Sequence, residues 1–109
     1  MSAIPALLGA AVTETVPAPR RLAAGLDVVD FGEAEGRAMR LFRCQPGAEI
    51  PAHELARPAL LYVMDGELIQ NDHRLRMGSV SALVNRTAAE QLRSERGCLF
   101  LLVHELEGR

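Results

Sequence analysis

From residue 21 onward, short runs of apolar residues alternate with clusters of turn-forming residues. Glycine, proline, asparagine and aspartate separate these runs about every 8–12 residues, a spacing typical of an all-β sandwich or barrel. The chain is therefore predicted to be all-β. The principal strands are predicted at residues 26–31, 37–44, 59–64, 67–70, 79–84 and 98–105.

Four details of this pattern make finer predictions. Asp65-Gly66 lies between two apolar runs and predicts a tight hairpin, because both residues of such a turn adopt positive φ. Residues 32–36 are predicted to form the turn that closes the first strand. The run Cys98–Glu105 is continuously apolar until its end, which predicts a fully buried strand. Residues 88–94 fit a short strand, although their composition fits a helix almost as well.

The first 20 residues differ from the rest of the chain, because they are rich in alanine and proline. Pro17 and Pro19 disfavour a regular element, whereas residues 5–12 are compatible with a short helix. An apolar arm is costly to leave in water, so we predict that it packs on its own barrel or on a second subunit. The predicted division is an N-terminal arm at residues 1–20 and a barrel domain at residues 21–109.

Composition and charge narrow the classes of function. The 109 residues, 49% of them apolar, fit one domain with one core. The formal net charge of −2 argues against a nucleic-acid partner, since nucleic-acid-binding domains carry a concentrated basic face. No apolar run reaches the roughly 18–20 residues of a membrane helix, and the N-terminus lacks the basic segment of a signal peptide. Cys44 and Cys98 lie far apart in apolar segments, which favours inert buried thiols over a reactive pair and a reducing cytoplasm as the location.

One stretch of the sequence has a spacing typical of a known family. Gly47 is followed after five residues by His53, and Gly66 comes thirteen residues after that histidine. The stretch Tyr-Val-Met-Asp-Gly-Glu, which contains Gly66, is similar to the hairpin of the first cupin motif. Over residues 38–104 the chain resembles the cupin superfamily, in particular small single-domain RmlC-like cupins. The resemblance implies a double-stranded β-helix, or jelly-roll barrel, and such small barrels are often homodimers.

When the metal-ligand positions of the family are mapped onto this sequence, one ligand is retained, His53. Leu55 stands where the second histidine is expected, and Ala59 stands where the glutamate is expected, or Leu60 if the gap is one residue longer. The histidine of the second motif falls on Ala89, next to which Glu90 is the nearest donor. Since catalytic metal sites generally need three protein ligands, we predict no metal ion and no other cofactor.

These replacements predict an apolar pocket at the barrel mouth, with His53 as its polar anchor. Such a pocket suits a small, mostly apolar molecule that carries one hydrogen-bonding group. An alternative of equal weight is that apolar side chains fill the barrel and His53 bonds only a backbone group. The predicted pocket residues are His53, Leu55, Ala59, Leu61, Val63 and Glu90.

Three functions remain open at this point. The leading hypothesis is a non-catalytic homodimeric barrel that binds a small molecule or serves as a sensing or interaction module; a similar barrel forms the ligand-sensing half of certain zinc-dependent anti-sigma factors. A second is a dioxygenase or isomerase that depends on iron, manganese, zinc or nickel. A third is a metal-free epimerase or cyclase in which His53 pairs with Tyr62 or Glu90, provided that strand register turns Tyr62 inward. Candidate ligands of the metal enzyme are His53, Glu49, Glu54, Glu90 and His104.

Overall fold

The computed structural model describes residues 17–51, 54, 58–83 and 91–105. Within these ranges the chain forms nine strands and no α-helix, and every strand pairing is antiparallel, which confirms the all-β prediction. No helix in the described ranges is long and apolar enough to cross a bilayer. The strands are β1 (Arg20–Ala23), β2 (Leu26–Ala34), β3 (Arg37–Cys44), β4 (Glu49–Ile50), β5 (Ala59–Gln70), β6 (His73–Arg76), β7 (Val80–Leu83), β8 (Leu92–Arg93) and β9 (Cys98–Glu105).

The strands form two sheets that share β5. The first half of β5 pairs with β9 and β7, and its second half pairs with β6 and β8. The strand order along the whole sheet is β1-β2-β3-β9-β5-β8-β4, so β9 inserts between β3 and β5. Because one continuous strand belongs to both sheets, they curve around a common interior and form a nearly closed barrel.

The core lies between the two sheets and is built from alternate residues of each strand. Phe42 and Phe100 are cross-strand partners whose rings stack with centroids 4.8 Å apart and an angle of 5° between their planes. Both rings are fully buried, which places the largest side chains of the core at its centre. Other apolar side chains that are at most 2% exposed include Leu26, Val28, Leu61, Val63, Leu68, Leu83, Leu92 and Leu102.

The predicted hairpin at Asp65-Gly66 is wrong. The backbone continues through both residues as part of β5, and the pairing with β9 shifts register between Val63 and Asp65, as in a β-bulge. Gly66 does have positive φ, at 77°, but it uses this conformation to bring the strand close to Gly97. A β-bulge and a tight hairpin turn can both require a residue with positive φ. Here Gly66 supplies that conformation to a bulge and not to a turn. The hairpin turn that follows β5 lies at Asn71-Asp72, and both residues have positive φ.

The first predicted strand is longer than expected. β2 runs through Gly32 to Ala34, and its pairing with β3 shifts register between Asp30 and Glu33. The turn that connects the two strands is confined to Glu35 and Gly36, whose φ angles are 54° and 78°. Gly32, with φ of 88°, therefore accommodates an irregularity within the strand and does not end it.

The last strand has the predicted bounds but not the predicted burial. Cys98, Phe100 and Leu102 are buried in the core, whereas Leu99, Leu101 and Val103 point to the other side and are partly exposed. The uninterrupted apolar run was interpreted as a strand covered on both faces, and a single barrel covers one of them.

Some predictions concern segments that lie partly or wholly outside the residues described by the structure. Of residues 88–94, the described part contains the short strand β8, and residues 88–90 lie outside it. The helix predicted at residues 5–12 also lies outside the described residues, and residues 17–19 have no regular structure. The short strands β1, β4 and β6, of two to four residues each, were not predicted, because such short segments show little periodicity.

Candidate functional site

The barrel interior, called the lumen below, is organised in layers by the register of β3, β9 and β5. Residues that pair across these strands lie side by side, and alternate pairs point inward. One end of the lumen, the polar end, is formed by Ala38, Arg40, Ala59 and His104, and the opposite end, the cysteine end, by Cys44, Cys98 and Gly66. The four layers are Ala38–His104–Ala59, Arg40–Leu102–Leu61, Phe42–Phe100–Val63 and Cys44–Cys98–Gly66.

The described pocket candidates occupy the inner side of β5. Leu61 and Val63 have no solvent exposure and pack in the core, and Ala59 is half-buried opposite His104. His53, Leu55 and Glu90 lie outside the described residues. The inward register of β5 is therefore known, while the pocket as a whole stays a prediction.

Tyr62 does not point into the lumen. It alternates with the buried Leu61 and Val63, is 42% exposed, and pairs with Leu101 of β9 and Val80 of β7 on the outside of the sheet. Because side chains of a strand alternate between its two faces, Tyr62 and the lumen lie on opposite sides of β5. An acid–base pair inside the barrel would need another acid.

The sequence interpretation missed Arg40, a charged residue on the inner side of β3. It lies two positions before the buried Phe42 and pairs with Leu102 of β9. The signal was available, since Ala38, Arg40, Phe42 and Cys44 alternate along the strand and must share one face. Arginine is seldom found on a buried face without a partner, so its presence there points to a specific contact.

That contact is an ion pair with Glu54 at the polar end. The Arg40 Nη1 donates to Glu54 Oε1 at 2.7 Å, and Nη2 donates to the Glu54 carbonyl oxygen at 3.0 Å. The side chains of Arg40 and Glu54 are only 12% and 17% exposed, and the guanidinium lies 5.0 Å from the centre of the Phe42 ring. The Arg40 Nε is buried and has no hydrogen-bond partner among the described residues. The polar end therefore carries a desolvated cation with one donor to spare.

The described donors do not fit the metal centre that the resemblance to cupins implies. Ala59, at the position of the glutamate ligand, has no donor atom, and Glu54 is engaged by the Arg40 guanidinium, whose positive charge opposes a second cation. Glu49 is exposed in β4, and His104 is half-buried, with Nδ1 3.3 Å from the Glu105 carbonyl oxygen. Across the described ranges, no three histidine, cysteine, aspartate or glutamate side chains are grouped to hold a metal ion.

The side of the larger sheet that faces away from the lumen, called the outer face below, is also apolar. Its side chains form two rows in which neighbours are register partners, one row crossing five strands and the other four. The row nearer the cysteine end is Val29, Leu41, Leu101, Tyr62 and Val80, and the other is Met39, Val103, Leu60 and Ala82.

The most exposed side chains of the outer face lie on β7 and β5. Val80 is 66% exposed, Leu60 57% and Met39 38%, while Leu101 and Val103 on the central strand β9 are partly buried. A sheet of this type ordinarily presents polar side chains to water on its outer side. The outer face is thus an exposed apolar surface spread over neighbouring strands.

Charged residues border both ends of the outer face. Asp27 accepts hydrogen bonds from Arg21 Nε at 2.6 Å and from Arg43 Nη2 at 3.1 Å, and these two arginines hold the pKa of its carboxyl below the usual value. Arg37 and Glu105 pair across β3 and β9 at the other end. An apolar centre with a charged border is the usual anatomy of a protein–protein interface.

A nearly closed barrel of antiparallel strands with this order defines the cupin class of folds, and the comparisons with known proteins agree. The family model of the ChrR cupin-like domain matches residues 11–106, and the chain belongs to that family. No curated protein sequence matches the chain.

Solved structures show the same fold at low sequence identity. A structure of Rhodobacter sphaeroides SigE in complex with the anti-sigma ChrR is 20% identical, with a TM-score of 0.71 over 84% of this chain and 50% of that chain. The chain therefore spans half the length of that neighbour. An RmlC-like cupin from Shewanella frigidimarina is 16% identical, with a TM-score of 0.67 and coverage of 84% and 85%. KdgF from a Halomonas species is 11% identical, with a TM-score of 0.63 and coverage of 84% and 88%.

Proposed function

We propose that this protein is a non-catalytic cupin that serves as a sensing or interaction module and works as a homodimer in the cytoplasm. The outer face carries this proposal, because contiguous exposed apolar surfaces mark sites of protein–protein contact. An anti-sigma protein bound to SigE shares the fold, which supports an interaction role for barrels of this shape. At a net charge of −2 we expect no nucleic-acid partner.

A second copy of the chain is the occupant that fits the outer face best. The face crosses five strands, or about 19 Å, and two such surfaces can stack at the spacing of about 10 Å found between packed sheets. Leu99, Leu101 and Val103 would then be covered, as the apolar run of β9 predicts for a strand between two layers. Each end of the face carries charges of both signs, so a two-fold copy does not confront a row of like charges.

Sedimentation velocity tests this assembly. The full chain is expected to show an apparent mass of twice the monomer mass of 11.8 kDa. Tyr62→Lys places an ammonium group in the row nearer the cysteine end and is expected to raise the dimer dissociation constant by about 100-fold, because the charge would have to be desolvated. Met77→Lys is the matched control, since Met77 is 67% exposed in the turn between β6 and β7 and does not belong to the outer face.

Two results would overturn the homodimer. The first is a monomer at every concentration, both for the full chain and after removal of residues 1–20. The second is a dimer that Tyr62→Lys leaves intact, which would assign the contact to another surface. Equal weakening by Met77→Lys would show a general effect of added charge rather than a specific face.

The proposal also includes a lumen without a resident metal ion. Elemental analysis of protein purified without chelator or nickel resin is expected to find no stoichiometric iron, manganese, zinc or nickel, in the wild type or in His53→Ala. Native mass spectrometry of the same sample checks for a bound small molecule, for which the spare Nε of Arg40 at the polar end offers a donor to a carboxylate. Stoichiometric metal that disappears in His53→Ala would make a metal-dependent enzyme the leading hypothesis.

A further inference from the structure

The two cysteines, 54 positions apart in the sequence, meet at the cysteine end of the lumen. Cys44 is the last residue of β3 and Cys98 is the first residue of β9, and they are direct partners in the β3–β9 ladder. Both are free thiols, 5% and 8% exposed, on the inner side of their strands. Directly opposed residues of antiparallel strands have Cα atoms about 4.5–5.5 Å apart, within the roughly 4.4–6.8 Å that a disulfide spans.

The two thiols also interact with each other. A hydrogen bond between them raises the pKa of Cys44, with a further contribution from burial, and lowers the pKa of Cys98. Burial acts in the opposite direction on Cys98 and raises its pKa, but by less than the hydrogen bond lowers it. Cys98 is thus the member of the pair whose pKa is lowered and that ionises more readily. Thiolate character governs which cysteine reacts first with an oxidant.

Both cysteines lie where the ladder ends. Beyond Cys44 the chain turns through the exposed residues Gln45, Pro46 and Gly47, and before Cys98 it turns through the exposed Arg96. The ends of strands open locally at a smaller free energy than the centre of a sheet. A small oxidant can thus reach the pair through opening of one end of the barrel, without unfolding of the stacked phenylalanine layer.

We propose that Cys44 and Cys98 form a reversible intramolecular disulfide when the protein meets a hydroperoxide. The Cys98 thiolate attacks one peroxide oxygen, the O–O bond breaks, and the departing alkoxide or hydroxide takes up a proton, which leaves Cys98 as a sulfenic acid. The Cys44 sulfur then attacks the Cys98 sulfur, the S–OH bond breaks, and water leaves with the Cys44 proton. In total, two thiols and one hydroperoxide yield one disulfide, one alcohol or water molecule, and one water molecule.

Hydrogen peroxide is the probe, and intact-mass analysis after blocking of free thiols under denaturing conditions is the readout. The native wild-type chain is expected to lose two hydrogen atoms and both alkylation sites, to yield a peptide cross-linked between Cys44 and Cys98, and to recover both sites after dithiothreitol. In Cys44→Ser, which retains only Cys98, dimedone is expected to trap the sulfenic acid, and Cys98→Ser is expected to react at least about tenfold more slowly. Cys44→Ala and Cys98→Ala serve as a second pair of variants if the serine side chains destabilise the core.

Three results would overturn the proposal. One is a native wild-type chain whose two thiols stay fully alkylatable at peroxide concentrations that oxidise an exposed thiol. Another is a disulfide that forms only between chains, and the third is sulfinic acid on Cys98 while Cys44 stays reduced. The inference rests on strand register and not on the outer face, so it can fail or succeed independently of the homodimer.

Discussion

Gly66→Ala is expected to lower the free energy of unfolding by about 3–5 kcal/mol, the sum of a positive-φ penalty and an overpacking penalty. Gly66 has φ of 77° at the bulge in β5. A Cβ at this position would overlap the Gly97 carbonyl oxygen and lie 2.8 Å from the Cys98 Cα, and both are backbone atoms that cannot rotate away. Urea denaturation followed by circular dichroism measures the change.

Gly36→Ala separates the two contributions. Gly36 has nearly the same φ, 78°, but an added Cβ there meets nothing within 4 Å. It should therefore cost only the backbone penalty of about 1–2 kcal/mol. Equal losses for the two variants would show that the close approach of β5 to Gly97 does not matter for stability.

Arg40→Met is expected to cost about 2–4 kcal/mol, because it removes the charge partner of a mostly buried carboxylate. The expected loss of unfolding free energy is slightly smaller than that for breaking a fully buried ion pair, since the side chains of Arg40 and Glu54 remain 12% and 17% exposed. Methionine retains the apolar part of the arginine side chain, so the loss reports chiefly on the charge. The double variant Arg40→Met/Glu54→Gln is expected to recover about half of it, as measured by a double-mutant cycle in urea.

The same strand offers a matched comparison for this ion pair. Arg43 also pairs with a carboxylate, that of Asp27 at 3.1 Å, but its side chain is 63% exposed on the other side of β3. Arg43→Met, measured at the same protein concentration, should therefore cost less than about 1 kcal/mol. If it cost as much as Arg40→Met, burial of the Arg40–Glu54 pair would not be the source of the larger effect.

The sequence predicted the fold class because local pattern determines it. The bounds of β3 and β9 are the predicted ones, since β3 lies between turns that contain Gly36 and Gly47, and β9 begins directly after Gly97. The same rules misplaced the hairpin at Asp65-Gly66, because Asp-Gly specifies a backbone conformation and not the way the chain pairs around it. Whether that conformation makes a turn or a bulge depends on β9, which lies 32 or more positions away in the sequence.

The candidate site could be predicted only in outline. Period-two alternation groups Arg40 with Phe42 and separates Tyr62 from Leu61, but it does not tell which group faces the lumen. That choice is fixed when β5 pairs with β9 in a register that buries Leu61 against Leu102. Cys44 and Cys98 are likewise neighbours only because of long-range strand register. From their wide separation in the sequence, they were interpreted as two unrelated inert thiols.

The position of β9 between β3 and β5 has a consequence for how the protein is made. The hairpin of β2 and β3 is complete once residue 44 has been synthesised, yet its free edge waits for a partner that begins at residue 98. Contacts across so long a stretch of chain slow folding, and an open strand edge can meanwhile pair with another nascent chain. The barrel therefore closes late, after translation has passed residue 105, and conditions that slow aggregation during synthesis should raise the yield of folded protein.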